Sequence, residues 1–243
     1  VVVVTGGAQG IGFAISDQFL LSDAKVIIIL DIGEMGQETA EILKNKHGQN
    51  KAHFLKCNVV TDLETVTEQI YEKYGNVDVL VNNAGVSVPD VDVVVDVNLK
   101  AVMKWFFKFW ERMRKDKTGN GGTIIIISSI YGLTVLQHFP AYHGTKFGII
   151  GFSKSLGHEF NFNRSGVRVI VLRPGYTQTT LCQLPKDITF DDEGLRENVE
   201  KTFSEAVYQS ADTVGKAAVE IFKKVKSGTV WKIEISEPVA EVL

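Results

Sequence analysis

Short β-rich runs recur along this chain at Val1–Val4, Val26–Leu30, Ala52–Leu55, Val77–Val81, Thr123–Ile127, Val167–Leu172 and Val230–Ile233, and several are apolar at every position. A strand with one wet face alternates polar and apolar residues. A continuous apolar run is how a strand buried on both faces of a parallel sheet reads. Helical patterns fill the intervals near residues 10–21, 35–47, 62–74, 95–116, 141–163 and 211–226. This alternation predicts an α/β fold: a single-domain, Rossmann-like, doubly wound parallel sheet of about seven strands with helices on both faces. No linker, repeat or low-complexity tract divides residues 1–243. The polar stretch 181–209, with Pro185, breaks the rhythm. It reads as an insert at the sheet's C-terminal edge, where ligands bind in such folds.

Composition removes several function classes. Lys plus Arg is 26 against 29 for Asp plus Glu, a net charge of −3, and no basic cluster suits nucleic acid. Two cysteines, Cys57 and Cys182, are too few for a disulfide scaffold. The five histidines are scattered and no C-x-x-C or H-E-x-x-H pattern occurs, so no metal site is predicted. No apolar run reaches the ~18 residues that span a bilayer. Val1–Val4 has no basic region before it and does not read as a signal peptide. The missing initiator Met predicts that a few residues precede it, and a cytoplasmic location is expected. Asn163-Arg164-Ser165, a formal glycosylation sequon, is read as chance.

The turn Thr5-Gly6-Gly7-Ala8-Gln9-Gly10-Ile11-Gly12 lies between the first strand and the first helix. One glycine permits the tight turn, one lets backbone approach a phosphate, and one lets helix and strand pack closely. The helix N-terminus then offers free N–H groups and a partial positive charge to a pyrophosphate. Such a turn can also merely connect strand to helix, but its place between strand and helix is the context that dinucleotide binding requires. Asp31 ends the second strand, 19 residues after Gly12. A carboxylate there accepts hydrogen bonds from ribose hydroxyls and repels a 2′-phosphate. Gln9 and Ile32 supply no cation for such a phosphate, so NAD is expected over NADP.

Tyr142 and Lys146 stand at i and i+4 on one helix face. A phenol of pKa near 10 is a poor base at neutral pH. A positive charge ~4 Å away is worth about 4 kcal/mol at an effective dielectric near 20 and lowers that pKa. Tyr142 could then take a proton from an alcohol as hydride leaves its carbon. Asn82-Asn83-Ala84-Gly85 ends the fourth strand, Ser128-Ser129 ends the fifth, and Tyr142-His143-Gly144-Thr145-Lys146 lies in the following helix. With the glycine turn, this ordered set resembles the short-chain dehydrogenase/reductase family over residues 1 to about 180 and again at the last strand. Gly228-Thr-Val-Trp-Lys-Ile233 resembles the branch of insect alcohol dehydrogenases and 15-hydroxyprostaglandin dehydrogenases.

The resemblance implies residue roles. Ser129, 13 residues before Tyr142, takes the place of the catalytic serine that bonds the reacting oxygen, with Ser128 as the competing choice. Asn98, 13 residues beyond Gly85, matches the family's helix-kinking asparagine, which holds a water linking Lys146 to solvent. Lys146 also bonds the nicotinamide ribose. Pro174-Gly175-Tyr176-Thr177-Gln178-Thr179 resembles the P-G-x-x-x-T segment that contacts the carboxamide, through Thr179 or Thr177. Asn83, Ala84 and Gly85 are expected along the adenosine ribose, and Asn58-Val59 around the adenine, where the family more often has Asp at position 58.

The expected function is therefore metal-free, NAD-dependent interconversion of a hydrophobic secondary alcohol and its ketone or aldehyde. Two alternatives stand beside it: a catalytically silent, NAD-binding storage or structural protein, and an NADP-dependent carbonyl reductase. The intact Asn98, Ser129, Tyr142 and Lys146 set argues against the first and Asp31 against the second. Leu133, Val135, Leu136, Phe139, Tyr176 and Leu181 are expected to line an apolar substrate pocket with Ser129 and Tyr142. Phe139 stands where the prostaglandin enzymes carry glutamine, which argues against a prostaglandin. Cys182 is read as inert packing. In the helix after Asn98, Val102, Met103, Phe106, Trp110 and Met113 make the core stripe. Trp105 and Phe109 make a second aromatic stripe, expected to bury in a homodimer or homotetramer interface.

Overall fold

A computed structural model of the chain describes residues 1–183, 193–235 and 237–243. Among them, strands β1 (Val2–Thr5), β2 (Ile27–Asp31), β3 (Ala52–Lys56), β4 (Val79–Asn82), β5 (Gly122–Ile127), β6 (Val167–Pro174), β7 (Thr229–Ile233) and β8 (Ala240–Glu241) form one sheet. Its order is β3-β2-β1-β4-β5-β6-β7-β8. Neighbours from β3 to β7 are parallel; β8, a short strand the sequence reading lacks, is antiparallel to β7.

The strand pattern explains the apolar runs. Ile27 and Ile29 of β2 and Ile125 and Ile127 of β5 face one layer, formed by α1 (Gly10–Leu21), α2 (Met35–His47) and α9 (Ala211–Lys224). Ile28, Leu30, Ile124 and Ile126 face the other, formed by α3 (Leu63–Tyr74), α5 (Val102–Met113) and α6 (Pro140–Leu156). Both faces of each central strand are covered, so no position can be polar without a buried partner. The order in which strands are added reverses between β1 and β4, and the crevice at their C-terminal ends is where this architecture binds ligands.

Three expected elements differ. The helix placed at 95–116 begins earlier, as α4 (Val91–Val95), and passes through a wide i→i+5 turn, Asp96–Ala101, into α5. The helix placed at 141–163 ends at Leu156, and α7 (Glu159–Ser165) follows. Gly157 between them packs on Gly228, where an added Cβ would meet the Gly228 Cα at 2.5 Å. Within the expected insert, Thr180–Cys182 forms a 3-10 turn and α8 spans Glu193–Glu205; residues 184–192, with Pro185, lie outside the described residues.

The interface stripe is overturned. Trp105 and Phe109 are 1% and 0% exposed within the single chain. Helix α3 covers them: Tyr71 lies 5.7 Å from the Phe109 ring, and the Trp105 indole N–H donates to the Val59 carbonyl at 2.8 Å. The apolar arc of α5 is wide because it packs on both the sheet and α3.

Candidate active site

The glycine turn folds as its sequence requires. Gly6 and Gly10 hold φ of +61° and +56°, the left-handed region that favours glycine. A Cβ on Gly12 would stand 2.3 Å from the Gly6 carbonyl and 2.6 Å from Asn83 Nδ2, so helix α1 could not sit this close to the turn. Asn83 locks the arrangement, donating from Nδ2 to the carbonyls of Thr5 at 3.0 Å and Gly6 at 2.9 Å. No side chain caps the N-terminus of α1, so its first N–H groups face the crevice unclaimed by a cap.

A cavity of about 630 Å³ opens above this turn. Eleven of the residues expected to hold a cofactor line it: Gly6, Gln9, Gly10, Ile11, Asp31, Asn58, Val59, Asn83, Ala84, Gly85 and Thr179. Asp31 accepts from the Ala8 N–H and the Gly33 N–H at 3.0 Å each, which fixes its carboxylate at the rim. No Lys or Arg lines the cavity among the described residues. The cradle thus fits a dinucleotide: uncapped N–H groups beneath, small residues where backbone must approach, a carboxylate at one end.

Other expected contacts lie elsewhere. Gly12 sits beneath the turn as a packing residue. Pro174 is buried at the end of β6. Thr177 is 2% exposed; its hydroxyl donates to the Gly175 carbonyl and accepts from Gln209 Nε2 at 3.3 Å, so of the two threonines only Thr179 faces the cavity. Cys57, Val86, Val93, Asp96 and Val97 line the cavity without having been expected. Val93 and Val97 are four apart, a helical spacing that could have flagged them.

Leu181 belongs both to this cavity and to a second chamber of about 50 Å³, walled by Ser129, Tyr142, Gly175, Tyr176, Phe139 and their neighbours. Ser129 and Tyr142, expected from the sequence, do meet here. The Ser129 hydroxyl accepts from the Tyr131 N–H at 3.2 Å, while Ser128 turns away and donates to the Lys146 carbonyl at 3.2 Å. That decides the choice between the two serines for the chamber wall.

Lys146 lies one turn beyond Tyr142. It is 4% exposed, its Nζ donates to the Ile127 carbonyl at 3.1 Å, and it lies 5.4 Å from the centre of the Tyr142 ring. Burial pushes its pKa down to about 8. Burial pushes the Tyr142 phenol up to about 12, against the pull of its hydrogen bond with Ser129. The lowering expected from Lys146 is not seen in the protein alone: burial raises the phenol, and the only opposing pull comes from Ser129. The ammonium is spent on a carbonyl and rests over the ring, and a buried phenolate loses its solvation. Asn98 is fully buried in the wide turn. Its Oδ1 accepts from the Val86 N–H and its Nδ2 donates to the Val86 carbonyl, both at 2.8 Å. A Cβ on Gly85 would lie 3.3 Å from Asn98 Oδ1 and 3.7 Å from Lys146 Nζ, so Gly85 stands beside both groups.

The substrate wall is partly corrected. Leu133 and Val135 are exposed, and Leu136 packs beside Tyr142 in the neighbouring cluster without lining the chamber. Phe139 does line it, in a left-handed conformation (φ +56°) rare for a bulky side chain. His143 holds that turn: its N–H and Nδ1 both contact the Phe139 carbonyl, at 3.1 and 2.9 Å. Tyr131, Ser87, Ile130, Cys182 and Phe203 complete the wall and were not expected there. Burial pushes the Cys182 thiol up, away from a reactive thiolate.

Comparison with known proteins shows the family. The profile of the family described as short chain dehydrogenase matches residues 1–187. The chain is 36% identical over 186 residues to the 15-hydroxyprostaglandin dehydrogenase [NAD(+)] of Rattus norvegicus, covering 75% of this chain and 70% of that protein. It is 27% identical to alcohol dehydrogenase 1 of Ceratitis capitata, over 95% of this chain and 90% of that one. Its fold matches a crystal structure of a putative NAD(P)-dependent gluconate 5-dehydrogenase from Beutenbergia cavernae with bound NADP. The TM-score is 0.76 at 22% identity, over 96% of this chain and 94% of that one. With the glycine cradle, the switch-point crevice and the Ser129–Tyr142–Lys146 arrangement in one place, the chain belongs to the short chain dehydrogenase family of oxidoreductases.

Proposed function

We propose that this chain is an NAD-dependent dehydrogenase that interconverts a hydrophobic secondary alcohol and its ketone, with Tyr142 as the acid/base. The observation that carries the reading is the shared chamber: Ser129 and Tyr142 line one small cavity, and Leu181 lines both it and the dinucleotide cradle. The nicotinamide ring, when bound, accepts the hydride. The chain's own residues do the rest. Ser129 hydrogen-bonds the alcohol oxygen and holds it beside Tyr142. With its phenol deprotonated, as the positive charges of Lys146 and of an oxidised nicotinamide ring would favour, Tyr142 takes the hydroxyl proton as hydride leaves the carbon. Lys146 supplies positive charge beneath the phenol and a donor to the cofactor ribose. Asn98 fixes the Val86 loop and the wide turn that flank Lys146, and in this reading anchors the water through which the proton leaves. The apolar walls around the chamber keep other water out.

Gly6, Gly10 and Ile11 take the pyrophosphate, Asn58 and Val59 the adenine, Asn83 to Gly85 the adenosine side, and Gly175 and Thr179 the nicotinamide end. Asp31 supports NAD over NADP, because a 2′-phosphate would meet its carboxylate with no cation near. Asp31→Ser is expected to lower the NAD-over-NADP ratio of kcat/KM by about 10- to 100-fold, since a hydrogen bond to a charged group is worth about 1.5–3 kcal/mol. An unchanged ratio would remove Asp31 from the site. Phe107 and Phe147 remain exposed on α5 and α6, and a homodimer through that face belongs to the same reading. Sedimentation showing only monomer at micromolar concentration would count against it. A cytoplasmic location also belongs here; no described helix is long and apolar enough to cross a membrane.

The test is the appearance of reduced nicotinamide with a panel of primary, secondary, terpenoid and prostaglandin alcohols, run with NAD and NADP in parallel. Turnover of secondary alcohols with NAD supports the reading. Silence across the panel, with NADH still bound by fluorescence, favours a binding protein of the same fold.

A further inference from the structure

Besides Ser129 and Tyr142, the reaction chamber holds a polar feature the reaction does not use. The hydroxyls of Tyr131 and Tyr176 lie 2.6 Å apart, and both residues line the chamber. Each phenol owns one proton and can accept two. The pair shares one proton, so the other O–H and the remaining lone pairs are left over. Among the described residues neither oxygen has a second protein hydrogen bond. Of the other wall residues Ile130, Phe139, Leu181 and Phe203 are apolar, and Ser87 and Cys182, which also line the chamber, make no hydrogen bond to the pair among the described residues.

The pair is also held rigidly relative to Tyr142. Tyr131 stands two residues after Ser129 and donates its N–H to the Ser129 hydroxyl. Its ring lies 4.7 Å from the His143 imidazole, which is itself tied to the Phe139 carbonyl and the Leu136 N–H. The Tyr131 ring meets the Tyr142 ring edge-on at 6.2 Å. Tyr176 enters from a different element, beyond β6, with its carbonyl held by the Gln209 N–H at 2.9 Å. Burial raises the pKa of both phenols, so both keep their protons at physiological pH and remain neutral donors.

We propose that the Tyr131–Tyr176 hydroxyl pair binds a second oxygen of the substrate, so that the preferred alcohol carries a further hydroxyl or carbonyl one or two carbons from the reacting carbon. The inference rests on the dehydrogenase reading above and narrows its substrate class. The chamber is small, about 50 Å³, which keeps any second oxygen close to the reacting one. An alcohol with a methyl group at that place would leave the spare O–H facing carbon.

The experiment compares butane-2,3-diol with 3-methylbutan-2-ol, in which a methyl replaces the second hydroxyl. Pentane-2,4-diol and 4-methylpentan-2-ol form the longer pair. The wild-type protein is expected to favour the diol of at least one pair by about 10-fold in kcat/KM, the size of one neutral hydrogen bond. Tyr131→Phe and Tyr176→Phe keep the ring and remove one hydroxyl each, and both are expected to bring that ratio close to one. A wild-type ratio of one or less in both pairs overturns the proposal, as does a ratio that neither variant changes. If no compound turns over here or in the alcohol panel above, the dehydrogenase reading fails by itself. Calorimetric binding of the same pairs to the protein, free and loaded with NADH, then decides. A diol preference lost in both variants supports the pair, and equal or undetectable binding of diol and methyl analogue overturns it.

Discussion

Tyr142→Phe is expected to lower kcat by about 10²- to 10⁴-fold, the usual worth of a positioned acid/base, while NADH still binds. The phenol ring is 7% exposed and packs with Val94 and Tyr131, contacts that phenylalanine keeps. Only the oxygen is lost, and with it the group that shares the chamber with Ser129. Tyr142 does not line the dinucleotide cradle, which keeps its lining. Rapid-mixing measurement of the first turnover, with NADH fluorescence as the binding control, separates the two effects. Turnover close to that of the wild type would end the assignment of Tyr142 as the base.

Lys146→Met is expected to give a protein that is more stable at neutral pH and inactive. Lys146 is buried, and its pKa is held down to about 8 from an ordinary value of 10.5. The native state therefore disfavours the charged form that the unfolded chain carries freely. Between about pH 8 and 10.5 the unfolded chain binds more protons at this site, so stability rises with pH there. Below that window the full cost is present, on the order of 3.5 kcal/mol at about 1.4 kcal/mol per pH unit. Methionine fills a similar volume without charge, and its loss of the bond to the Ile127 carbonyl costs less, about 1 kcal/mol. Urea unfolding of the cofactor-free proteins should show the variant ahead at pH 7 and the gap closing above pH 8. A gap independent of pH would mean that the charge of Lys146 is not what the fold is resisting.

A group that destabilises the fold in this way fits a site built for chemistry. The same region contains Phe139 in a left-handed turn. Both features cluster around Tyr142.

Much of this was legible in the residues. The layered sheet follows from runs such as Val26–Leu30 and, within Thr123–Ile127, the four isoleucines, because only strands covered on both faces can be apolar throughout. The glycine turn was legible because each glycine answers a local steric demand. Gly12 meets the Gly6 carbonyl within its own turn, although Asn83, its other neighbour, comes from a distant strand. Tyr142 and Lys146 were legible because helix geometry puts i and i+4 on one face.

The wall of the reaction chamber was not legible. Phe203 reaches Phe139 and Tyr176 from α8, far along the chain, and no spacing rule connects them. Leu133 and Val135 are as apolar as any pocket residue, yet the loop turns them outward. Trp105 and Phe109 show the same limit on a helix. Periodicity gives the width of an apolar arc, while the neighbour that covers it, here α3, is set by how the layers pack. The sequence by itself determined the local conformations and the chemistry available, since both depend on sterics and spacing within a few residues. The tertiary structure alone decided which distant side chains close the chamber, and so how the Tyr131–Tyr176 pair and the Tyr142 phenol come to face one cavity.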